Sequence, residues 1–65
     1  MPKTVLRVSY HEADGPEKTR LLTLDESFDD DVDTLVLMGR AANALLDDIP
    51  SVVVVDVEIA ESESA

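Results

Sequence analysis

Six carboxylates, Asp25, Glu26, Asp29, Asp30, Asp31 and Asp33, crowd into nine consecutive positions, and they are where chemistry would first be sought. Hard divalent cations prefer several carboxylate oxygens. The spacing fails that use: with Asp29, Asp31 and Asp33 as the first ligands of a calcium loop, Thr34 stands where the turn needs glycine and Arg40 where the closing glutamate belongs. His11 is the only histidine and there is no cysteine, so one chain has neither a zinc set nor a Cys-His nucleophile. Nothing in the spacing of Ser9, Ser27 or Ser51 sets any of them beside His11 as an activated nucleophile. The two glycines, Gly15 and Gly39, are too few and too far apart for a phosphate-cradling loop. Paired acids are so abundant that their presence carries no acid-base signal, which needs two carboxylates in differently tuned surroundings. The inventory predicts a protein that is not an enzyme and takes no cofactor or metal.

The acidic run has a simpler structural use. Ser27 followed three residues later by Asp30 has the form of a capping box, and carboxylates at a helix N-terminus complement the positive end of its dipole. A second use is mimicry of nucleic acid. Nine helical residues span about 13 Å, so six acids there approach the charge density of a duplex, about one per 1.7 Å.

Charge sets the classes of partner. Fifteen acidic residues against five basic ones give a net charge of -10, and the bases Lys3, Arg7, Lys18, Arg20 and Arg40 all precede residue 41. Such a chain repels phosphates and anionic lipid, which predicts no direct nucleic-acid binding and no membrane association. It also suits solubility in high salt and hence a salt-rich host. The longest apolar run, Val52 to Val55, is far short of the roughly 20 residues that span a bilayer, and no basic-then-apolar leader opens the sequence; a cytoplasmic location is expected.

The elements that would position these residues follow from periodicity. Leu6, Val8 and Tyr10 alternate with Arg7 and Ser9, which predicts a strand over 4–10. Asp14-Gly15-Pro16 is a turn signal, and 17–24 reads as a second strand, with Thr19, Leu21 and Thr23 on one face and Lys18, Arg20, Leu22 and Leu24 on the other; neither face is clearly the inward one. A helix is predicted from Ser27 to near Asp48, ended by Pro50. Its core stripe would be Phe28, Val32, Leu35, Gly39, Ala42 and Leu46, flanked by Met38, Leu45 and Ile49. Gly39 on that stripe would let the helix approach the sheet closely, or alternatively a second helix. The third strand, 51–59, would turn Val53, Val55, Val57 and Ile59 to one face and Val52, Val54, Asp56 and Glu58 to the other.

The expectation is an α+β fold: a single β-β-α-β domain over 1–59 with an antiparallel sheet of order 2-1-3, a right-handed crossover and one helix on one face, followed by a flexible acidic tail over 60–65. A chain of 65 residues buries only about 60% of its unfolded surface, with no disulfide to help. A sheet with one helix leaves its other face bare. The predicted function is therefore a small protein-protein interaction module, a homodimer or bound to another protein, whose contacts would come from Val5, Val52 and Val54 and from a second helix stripe, Leu37, Ala41 and Ala44. The alternative is an acidic mimic, from a virus or mobile element, that blocks a basic DNA-binding protein.

Overall fold

The computed structural model describes residues 2–29 and 31–63, which form strand β1 (Lys3–Glu12), strand β2 (Lys18–Leu24), helix α1 (Thr34–Leu46) and strand β3 (Val52–Glu63). The sheet is antiparallel with order β2-β1-β3, and the helix packs on one face, so the fold is the small α+β domain expected. No helix among the described residues is long and apolar enough to cross a membrane.

β1 is the middle strand because its period-two pattern feeds the core along its whole length. Thr4, Leu6, Val8 and Tyr10 are all buried. Directly paired residues share a face, which settles the orientation of β2: Leu24 pairs with Thr4, Leu22 with Leu6 and Arg20 with Val8, so these point inward, while Leu21 and Thr23 join Arg7 and Val5 on the outer face. Arg20 lies over the Tyr10 ring, 5.7 Å from its centroid. In the hairpin turn Ala13 takes a positive φ of 37°, and a Cβ on Gly15 would stand 3.0 Å from the Glu12 carbonyl oxygen, so a larger residue there would need the turn to shift by a few tenths of an ångström.

The helix starts later than its capping signal suggests. Asp33, not Ser27, is the N-cap: its carboxylate accepts from the Leu35 amide at 3.0 Å, and its carbonyl accepts from Val36 at 3.0 Å. Asp30, the other half of the expected capping box, lies outside the described residues. Consecutive aspartates are poor helix formers because their side chains compete for the backbone, and Val32 instead closes a turn onto the Asp29 carbonyl. Moving the start to Thr34 moves the buried face. Leu37, Ala41 and Leu45 enter the core beside Leu6, Val8, Tyr10, Ile49 and Val57, whereas Leu35, Gly39 and Leu46 of the expected core stripe face solvent. Phe28 and Val32 still pack against the core, but from the non-helical segment.

β3 also departs from simple alternation. Tyr10 pairs with Val54 and Ser9 with Asp56, which leaves Val55 as the extra residue of a β-bulge. The bulge reverses the parity of the strand. Val52 and Val54 therefore face the helix together with Val57 and Ile59, and Val53 and Val55 turn outward with Asp56 and Glu58. Residues 60–63, expected in a tail, continue the strand: Val5, Thr4 and Lys3 pair with Glu61, Ser62 and Glu63. Ser64 and Ala65 of that tail lie outside the described residues.

Candidate functional site

The described residues enclose no pocket and bring no three or more metal-ligating side chains together. What the geometry offers is surface.

The acidic run is spread along the connection between β2 and α1 rather than along a helix. Asp25, Asp29, Asp31 and Asp33 are exposed, and Asp33 is the one acid of the run that caps the helix. Glu26 is half-buried and tied at both ends: its carbonyl accepts from the Thr4 hydroxyl at 2.7 Å and its carboxylate from Arg40 Nε at 2.8 Å. The 13 Å helical spacing on which duplex mimicry rested does not exist in this segment. The basic residues are dispersed too. Arg7 pairs with Glu58, Lys18 with Glu12 at 3.9 Å, Arg20 with Asp48 at 3.6 Å and Arg40 with Glu26, so each of these four is offset by an acid.

Of the residues expected at a partner interface, Leu37 and Ala41 cannot serve: they are 5% and 0% exposed, because the late helix start turns them to the sheet. Ala44 is exposed. Val5 is half-buried on the outer sheet face, opposite Thr23 and Glu61. Val52 and Val54 are half-buried on the helix side, a consequence of the bulge. His11 lies in β1 opposite Val53, its Nδ1 buried without a hydrogen-bond partner.

Two apolar surfaces remain open. On the outer sheet face Leu21 is 60% exposed and Val53 and Val55 are each 46% exposed, around the Arg7–Glu58 pair. The second is on α1. At 3.6 residues per turn, Arg40 projects from the flank toward β2, where it meets Glu26, and the flank toward β3 carries Leu35, Ala42 and Leu46, with Gly39 slightly farther from the sheet and no charged residue among them. Leu35 is 73% exposed and Leu46 46%. A Cβ built on Gly39 meets nothing within 4 Å, so close approach to the sheet is not what the glycine serves.

Both surfaces were hidden from sequence reasoning by one displaced boundary and one extra residue. The second stripe read from the sequence, Leu37, Ala41 and Ala44, already holds two of the three residues that α1 buries, and the third, Leu45, flanks the expected core stripe. No protein-family model, no curated protein and no solved structure matches the chain.

Proposed function

We propose that this chain is a small, acidic, non-enzymatic module that works by binding protein through apolar surface. The observation that supports this is the set of large apolar side chains left exposed by a sheet covered on one face only: Leu21, Val53 and Val55 outside, Leu35 and Leu46 on the helix. Scattered single apolar residues are ordinary on a protein surface, but several on one flank of so small a domain mark a contact. The surrounding carboxylates keep the free chain soluble and repel nucleic acid and anionic partners.

The test is retention of protein, either the chain itself or another, on immobilised full-length chain in low and high salt. Binding that survives about 1 M NaCl, where screening leaves a Debye length of about 3 Å, supports an apolar contact. Binding abolished by salt points to charge pairing with a basic partner and sinks this reading. Leu21→Asp, Val53→Asp and Leu46→Asp distinguish the surfaces, since all three positions are exposed and the substitutions leave the core intact.

A further inference from the structure

We draw no further inference here: the strongest candidate, the apolar patch of Leu21, Val53 and Val55 on the outer face of the sheet, is an unpartnered face and nothing in the structure shows what covers it.

Discussion

Thr4 is the one buried polar residue of the core among those described, and its place there depends on a single bond, from its hydroxyl to the Glu26 carbonyl at 2.7 Å. Thr4→Val keeps the shape and removes that donor; the expected loss is about 1 kcal/mol in urea unfolding, the typical net value of one hydrogen bond. The helix leucines give a sharper contrast, because the sequence pattern and the structure rank them differently. Leu45 is 1% exposed and Leu35 is 73% exposed. Leu45→Ala removes packed volume and is expected to cost about 2–4 kcal/mol, enough to threaten so small a domain, while Leu35→Ala stays within about 0.5 kcal/mol. Equal effects in thermal or urea melts would contradict the buried face described here.

At the scale of elements, α1 depends on its cap and β3 on its bulge. Asp33→Ala removes the acceptor for the Leu35 amide and is expected to lower stability by about 1 kcal/mol, whereas Ser27→Ala, outside the helix, changes it by less than about 0.5 kcal/mol. Urea midpoints of the two variants, compared side by side, check the helix start directly. Gly39→Ala is expected to stabilise the monomer by up to about 1 kcal/mol, since the added methyl meets nothing within 4 Å and alanine is the better helix former. The segment between β2 and α1 does more than connect: Phe28 and Val32 pack on the core, and Glu26 ties β1 to α1 through Thr4 and Arg40.

For the whole molecule the governing quantities are a net charge of -10 and a sheet that is covered on one side. The side chains of the ion pairs are all at least 40% exposed and the pairs contribute little individually, so screening weakens them less than it relieves the general repulsion. Stability is therefore expected to rise between about 0.05 and about 1 M NaCl, seen as an upward shift of the thermal midpoint; a fall would mean that the ion pairs outweigh the repulsion. The element order, the hairpin and the sheet order 2-1-3 were all legible from periodicity and turn residues, because β1 alternates without interruption and Pro50 leaves no room for a continuous helix. The open apolar faces were not. Their residues depend on which side of α1 and which parity of β3 face the core, and both were inverted in part by local features with weak sequence signals.

The sequence by itself determined the class of fold and the acidic exterior, because these follow from residue types and from periods of 2 and 3.6 that persist over several residues. Tertiary structure alone decided which apolar side chains stay exposed. A cap at Asp33 instead of Ser27 moves Leu37 and Ala41 into the core and Leu35 out of it, and one extra residue at Val55 exchanges the faces of four valines. Both choices are made by the fit of side chains against β1, a long-range packing contest in which alternatives nearly equal in local preference are separated by what the rest of the chain can bury.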